Sequence, residues 1–151
     1  MIRSAILCLW VLAAVFSQVL TVAVPQAMAK GESGSSKIAW SNNYSQTLKA
    51  AGAKKKWVLV DVYTDWCHWC KRLDADVYDE PKAAKFINAS FICMKANAER
   101  GDGQMLAQKF GVRGFPCTLV LAPDGKLKGQ IGGYHPPGEF CQMLSDIVKG
   151  K

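Results

Sequence analysis

The sequence predicts an α/β fold, a central mixed β-sheet with helices on both faces, and three observations carry that prediction. Trp57–Tyr63 is a nearly continuous apolar run of strand length, the pattern of a strand covered on both faces and so central in its sheet. Segments of helical period alternate with such runs along the chain. A hairpin pattern then precedes one amphipathic helix at the C-terminal end. With 151 residues, 50% of them hydrophobic, the chain can bury one substantial core.

Taken in order, Ile38 to Trp40 reads as a short strand. Ser41 or Asn42 caps a helix to about Ala51, with Tyr44, Leu48 and Ala51 on one face and Gly52 as its stop. After the strand Trp57–Tyr63, Cys70, Leu73 and Val77 recur at helical spacing, while Lys71, Arg72, Asp74 and Asp76 lie mostly elsewhere around the helix. Pro81 suits the first position of a short helix ending near Asn88. Phe91 to Lys95 is a second buried strand, and Gln104 to Phe110 a helix stopped by Gly111. Thr118–Leu121, the turn Pro123-Asp124-Gly125 and Leu127–Ile131 make the hairpin. Pro137 opens the last helix, whose Phe140, Met143, Leu144, Ile147 and Val148 follow the i, i+3, i+4, i+7, i+8 pattern.

Ahead of this domain, Met1-Ile2-Arg3 brings a positive charge, Ala5 to about Val24 is apolar, and Ala27-Met28-Ala29 has the small-x-small form of a cleavage site. Residues 1–29 therefore read as a signal peptide. The apolar stretch approaches the length of a membrane span, so an uncleaved anchor is the alternative. With Arg3 on the cytoplasmic side, both readings carry the rest of the chain out of the cytoplasm. Residues 30–36, rich in Gly and Ser, read as a flexible linker, and 37–151 as the folded domain.

Removing residues 1–29 leaves five of the six cysteines, an odd number in a chain with a full apolar core. They do not form a stapling framework. The net charge of +7 has one dense cluster, Lys54-Lys55-Lys56, read as a solvated turn before a buried strand. Basic and aromatic residues do not interleave as a nucleic-acid surface requires, so no nucleic-acid partner is expected.

The chemistry is concentrated in Trp66-Cys67-His68-Trp69-Cys70, directly after the central strand. A thiolate at a helix N-terminus is stabilised by unpaired backbone N–H groups and the positive end of the helix dipole. Cys67 is thus expected to be the exposed attacking thiolate, and Cys70, one turn on, to close a disulfide or resolve a mixed one. Asp61 lies six residues earlier on the apolar strand, where an unpaired carboxylate is costly to bury. A carboxylate of raised pKa there can take the proton of Cys70; a plain hydrogen bond to a polar neighbour is the alternative. A protonated His68 would favour the thiolate, whereas a solvent-facing one would couple little to it. Trp66 and Trp69 are candidates for an apolar rim that receives client peptides, or for packing against neighbouring loops. Cys67, His68 and Cys70 lack the distant Cys/His pair that would complete a zinc site, so no metal is assigned. Lys71 stands where a c-type haem motif needs histidine.

These residues fall into a recognisable series. The run Val58-Leu59-Val60-Asp61-Val62-Tyr63-Thr64-Asp65-Trp66-Cys67-His68-Trp69-Cys70-Lys71 resembles the strand, active-site loop and helix start of the thioredoxin superfamily. Lys95-Ala96-Asn97-Ala98-Glu99, Gly111-Val112-Arg113-Gly114-Phe115-Pro116 and Ile131-Gly132-Gly133 resemble its following motifs in the same order. Among its members the match is most similar to bacterial periplasmic domains, including the C-terminal domain of the transmembrane thiol reductant transporter.

The resemblance implies a thioredoxin fold over about Lys37 to Val148, Asp61 as the buried acid and Lys95 beside it. It also implies a cis bond at Pro116 that, with Phe115, leaves main-chain groups free for an extended substrate. The function it implies is an exported thiol–disulfide oxidoreductase, more a reductase than a net oxidase or isomerase; a metal-binding module is the third reading. It further implies a redox-active Cys67–Cys70 disulfide with no other cofactor, protein thiol or disulfide substrates, a membrane electron donor and a monomer. The location implied is periplasmic or secreted, or tethered to the outer face of the inner membrane. His68-Trp69 stands where thioredoxin has Gly-Pro, and Cys117 where threonine is common, so the family's potential does not transfer. The family's sheet order separates Cys93 from Cys117 by two strand spacings, beyond disulfide reach. Cys117 with Cys141 stays geometrically open, and buried free thiols are favoured for all three.

Overall fold

The computed structural model describes residues 37–150; the signal-peptide, anchor and linker expectations for residues 1–36 lie outside the described residues. The elements are β1 (Trp40–Ser41), α1 (Tyr44–Lys54), β2 (Trp57–Tyr63), α2 (His68–Leu73) with a π-helical turn at Asp74–Tyr78, α3 (Pro81–Ser90), β3 (Phe91–Asn97), α4 (Gly101–Lys109), β4 (Cys117–Leu121), β5 (Leu127–Gly132) and α5 (Pro137–Lys149). They build one five-stranded sheet in the order β1-β3-β2-β4-β5. β3 runs parallel to β1 and β2, and β4 runs antiparallel to β2 and β5. The apolar run Trp57–Tyr63 is thus the central strand, as its composition requires.

Alternation along the strands sends side chains into two separate cores. Leu59, Cys93, Val120 and Ile131 pack with Leu73, Val77, Ile87, Phe140 and Leu144 from α2, its π-helical turn, α3 and α5. Val58, Val60, Val62, Met94, Leu119 and Leu121 pack with Ala51 of α1 and Leu106 of α4 on the other face. Asp61 has the parity of Leu59 and so points toward the α2 face.

Several boundaries differ from those expected. β1 pairs only through Trp40 and Ser41, while Ile38 joins the core without pairing. The cap of α1 is Asn43, whose Oδ1 accepts from the Gln46 N–H at 2.8 Å. Gly52 does not stop that helix, which continues to Lys54 and closes at Lys55 with φ 53°. Helical conformation at Gly52 costs only about 1 kcal/mol against alanine, and the stop falls where the chain must turn into β2. Lys56 at that turn donates through Nζ to the Asn88 carbonyl at 2.9 Å. α4 begins three residues before Gln104, because Gly103 lets the helix lie on β3; a Cβ there would stand 2.1 Å from the Asn97 carbonyl oxygen.

Candidate active site

β2 delivers the chain to the site. Beyond Tyr63 the turn Thr64-Asp65-Trp66 leads into Cys67, which caps α2 with extended backbone, φ −74° and ψ 107°. Its Sγ accepts from the Cys70 N–H at 3.0 Å and is bonded to Cys70 Sγ at 2.08 Å. The sulfur therefore sits where the unpaired amides of the helix start stabilise negative charge. In this oxidised form Cys67 is 5% exposed and Cys70 3%, so the expected exposure of Cys67 is not met. The capping geometry that favours a thiolate also folds the sulfur back over the first helical turn.

The turn is braced from the end of β3. Asp65 accepts from Asn97 Nδ2 at 3.0 Å and Arg100 Nη1 at 2.8 Å, the Ala98 N–H donates to the Tyr63 carbonyl at 2.8 Å, and Trp66 Nε1 donates to Glu99 Oε1 at 3.0 Å. Four contacts thus fix the approach to Cys67.

On the α2 side of the sheet, Asp61 is fully buried. Parallel register sets it beside Lys95, whose Nζ donates to Asp61 Oδ2 at 2.6 Å and also to Asp74 Oδ1. Among the described residues Asp61 Oδ1 has no hydrogen-bond partner. The lysine is not a solvated strand end: its ammonium lies 4.8, 5.0 and 5.4 Å from the ring centroids of Trp40, Tyr78 and Tyr63. Burial pushes the Asp61 carboxyl above the ordinary carboxylate range, against the opposing pull of Lys95, and the Asp74 charge adds to the rise. Burial also works against the Lys95 charge, but its two carboxylates outweigh that and hold it above the usual lysine value. One ammonium thus serves two acids, one of them buried with an unpaired oxygen, an arrangement fit to hold or release a proton.

Around the disulfide the surface is aromatic. Trp66 is 69% exposed and Trp69 52%. Trp66 packs edge-on against Phe115 at 6.0 Å between centroids, and Trp69 lies 5.7 Å from Tyr134. Trp69, Phe115, Gly133 and Tyr134 line an open groove of about 250 Å³. The Phe115–Pro116 bond is cis, and Pro116 is tied through its carbonyl to the Gly133 N–H at 2.8 Å. His68 is exposed, and its ring lies 5.9 Å from that of Trp69.

Cys67, His68, Trp69, Cys70, Trp66, Phe115 and Pro116 thus gather at this end of β2, with Asp61 and Lys95 in the polar cluster beside it. Sequence reasoning missed three residues that complete the arrangement. Asp74 lies four residues after Cys70, a spacing that puts both on one helix face and could have marked it. Tyr134 directly follows the Gly132-Gly133 pair, and Glu99 closes a motif already singled out, but nothing in their spacing announces a contact.

The other cysteines take no part in the disulfide. Cys93 and Cys117 are buried free thiols, and burial pushes them up to about 12 and about 11. Cys141 is free and partly buried, in the core under α5, whereas Cys117 belongs to the core on the opposite face of the sheet. The sheet thus separates the pair that geometry had left open. Among the described residues no three His, Cys, Asp or Glu side chains are grouped to hold a metal ion.

Residues 44–147 match the thioredoxin-like domain family. The chain belongs to that family. Its thioredoxin-like domain is 32% identical over 107 residues to the thiol:disulfide interchange protein DsbD of Pseudomonas fluorescens, an overlap of 69% of this chain and 18% of that protein. The chain spans about a fifth of the length of the curated relatives it matches. In three dimensions it is similar to a thioredoxin from Thermus thermophilus, with TM-score 0.67, 26% identity and coverage of 76% of this chain and 90% of that one. The C-terminal domain of DsbD from Neisseria meningitidis, in its oxidised form, shares the fold at TM-score 0.56 and 24% identity, over 72% of this chain and 98% of that one. The Cys67–Cys70 disulfide is the CxxC redox centre of this thioredoxin-like domain.

Proposed function

We propose that this chain is a thiol–disulfide oxidoreductase that is exported and reduces protein disulfides, drawing its electrons from a dithiol partner in the membrane. The observation that carries the direction is the pairing of two carboxylates with one lysine beside α2. A disulfide is a strong oxidant when its thiolate form is stabilised. A buried acid, Asp61, and a second acid, Asp74, have one shared cation between them, and this local negative charge disfavours thiolates and favours electron donation. Export is supported by the charge, apolar stretch and Ala27-Met28-Ala29 of residues 1–29. Among the described residues no helix is long and apolar enough to cross a membrane.

In this reading the reduced Cys67 thiolate attacks one sulfur of a client disulfide, and the other client sulfur leaves with the electron pair and takes a proton. Cys70 then yields its proton to the Asp61 carboxylate and attacks Cys67 Sγ, which releases the second client thiol and closes the Cys67–Cys70 disulfide. The donor dithiol reverses that closure. Phe115 presents main-chain groups to the client beside the cis bond, and Trp66 lies against its ring. Between the sulfurs, Trp69 packs against Tyr134 and His68 faces solvent.

Equilibration of the Cys67–Cys70 pair with a glutathione or dithiothreitol buffer tests the direction. A potential near that of thioredoxin, about −270 mV, is expected, and one near −120 mV would make the protein an oxidase.

A further inference from the structure

Tyr134 is joined to the active-site helix by contacts that the exchange chemistry does not use. Its hydroxyl donates to Asp76 Oδ2 at 2.9 Å, and Asp76 is in turn paired with Arg72 at 3.0 Å. The Arg72 guanidinium carbon stands 5.6 Å from the centroid of the Tyr134 ring, and Trp69 lies along its other neighbour contact at 5.7 Å with an interplanar angle of 36°. A loop residue between β5 and α5 is thereby fastened to α2 and its π-helical turn, directly beside the disulfide.

The fastening sets the shape of the groove. Its lining is the Trp69–Tyr134 pair, Phe115 with Trp66 against its ring, and Gly133, which brings no side chain. Its volume of about 250 Å³ falls below the roughly 300–1,000 Å³ of small-ligand pockets. Such a space suits one large side chain of a longer partner. Among the described residues Phe115 has no main-chain hydrogen-bond partner, so an extended strand can pair there while a neighbouring side chain enters the groove.

Charge narrows the choice further. Lys71, next to Cys70, and Arg113, two residues before Phe115, are exposed and outside any ion pair among the described residues, and Arg72 already occupies the Tyr134 ring. An incoming cation meets repulsion, whereas an incoming aromatic ring meets edges and faces at the 4.5–7 Å spacing such pairs prefer.

Resting on the oxidoreductase reading, we infer that Tyr134 is a specificity-determining residue that selects extended client segments with an aromatic side chain, and against a cationic one, adjacent to the reactive cysteine.

The test uses three disulfide-bearing peptides that differ only in the residue beside the cysteine, Phe, Ala or Lys, with the reduced protein and its Tyr134→Ala and Tyr134→Phe variants. The unmodified protein should favour Phe over Ala by about tenfold in kcat/KM, mostly through KM, and disfavour Lys. Tyr134→Ala should bring the Phe/Ala ratio to about two or below, and Tyr134→Phe should keep most of it, since the ring is retained. No preference in the unmodified protein, an undiminished ratio in Tyr134→Ala, or an equal loss on all three peptides would overturn the assignment. Hydroxyethyl disulfide, which has no side chain to select, separates the two readings in the unmodified protein. Its turnover without peptide discrimination overturns only the role of Tyr134, while failure with every disulfide overturns the oxidoreductase reading itself.

Discussion

Cys67 and Cys70 at the start of α2 and Cys93 and Cys117 in the sheet are hidden from water to the same degree, 5% and 3% against 3% and 5%. Their chemistry is opposite. The first pair is joined as a disulfide at a helix N-terminus, with the Cys67 sulfur accepting an amide hydrogen bond. The second pair consists of thiols lodged among Val, Leu and Met side chains, where burial holds them protonated. Burial therefore does not separate a reactive cysteine from an inert one in this molecule. What separates them is whether the surrounding backbone offers donors to a thiolate and whether a second sulfur stands within reach.

The sharpest way to break this contrast is to remove the sulfur at the helix start. Cys67→Ser should abolish turnover of a disulfide substrate, because no other described thiol combines a helix cap with a partner at bonding distance. Steady-state reduction of a peptide disulfide, followed by mass spectrometry for any mixed disulfide, reads the outcome. Residual exchange at the parent rate would mean that a sheet cysteine can take over, and the contrast would fall.

The two regions were not equally legible in the sequence. β2 was readable over its full length because a strand covered on both faces leaves an unbroken apolar run, and α5 because its apolar stripe is undisturbed. Cys67 and Cys70 were readable because their spacing is local. The companions of Asp61 were harder, since Lys95 reaches it through strand register, which has no period to detect, and Asp74, marked only by its spacing from Cys70, joins the cluster through Lys95. Tyr134 depends on how a loop docks onto α2, and Gly52 misled because a glycine inside a helix looks like its end. Contacts made by register and docking stay hidden where contacts made by spacing do not.

A smaller effect tests whether the acid cluster separates the two regions as the helix start does. Asp61→Asn keeps the shape of the side chain but removes its ability to take a proton. Resolution of the mixed disulfide should slow by about 100-fold, the lower end of general-base effects, and the loss should shrink as pH rises and Cys70 ionises unaided. Stopped-flow tryptophan fluorescence across pH 6–9 would read both, Trp66 and Trp69 flanking the sulfurs. Stability should move the other way. Asp61 has its carboxyl raised in the folded protein, so the folded state binds the extra proton, and stability is lost as pH rises from about 4, the unfolded value, through the folded one. The Asn variant lacks this loss, and its urea midpoint relative to the parent should climb over that window and then level off. A midpoint difference independent of pH would mean that Asp61 ionises as readily folded as unfolded.

The least effect belongs to the sheet thiols. Cys93 packs with Leu59 and Val120 beneath α3 and α5, and Cys93→Ala removes one buried sulfur without leaving a polar group unpaired. The cost should be about 1 kcal/mol, the ordinary size for a small core truncation, read as a lower denaturant midpoint with an unchanged slope. The exchange rate should stay at the parent value, because Cys93 lies on β3 and its thiol, held up to about 12, is protonated throughout the working range. Iodoacetamide on the folded, reduced protein should accordingly label Cys67 long before Cys93, and rapid labelling of Cys93 would show that the sheet does not keep its thiol inert.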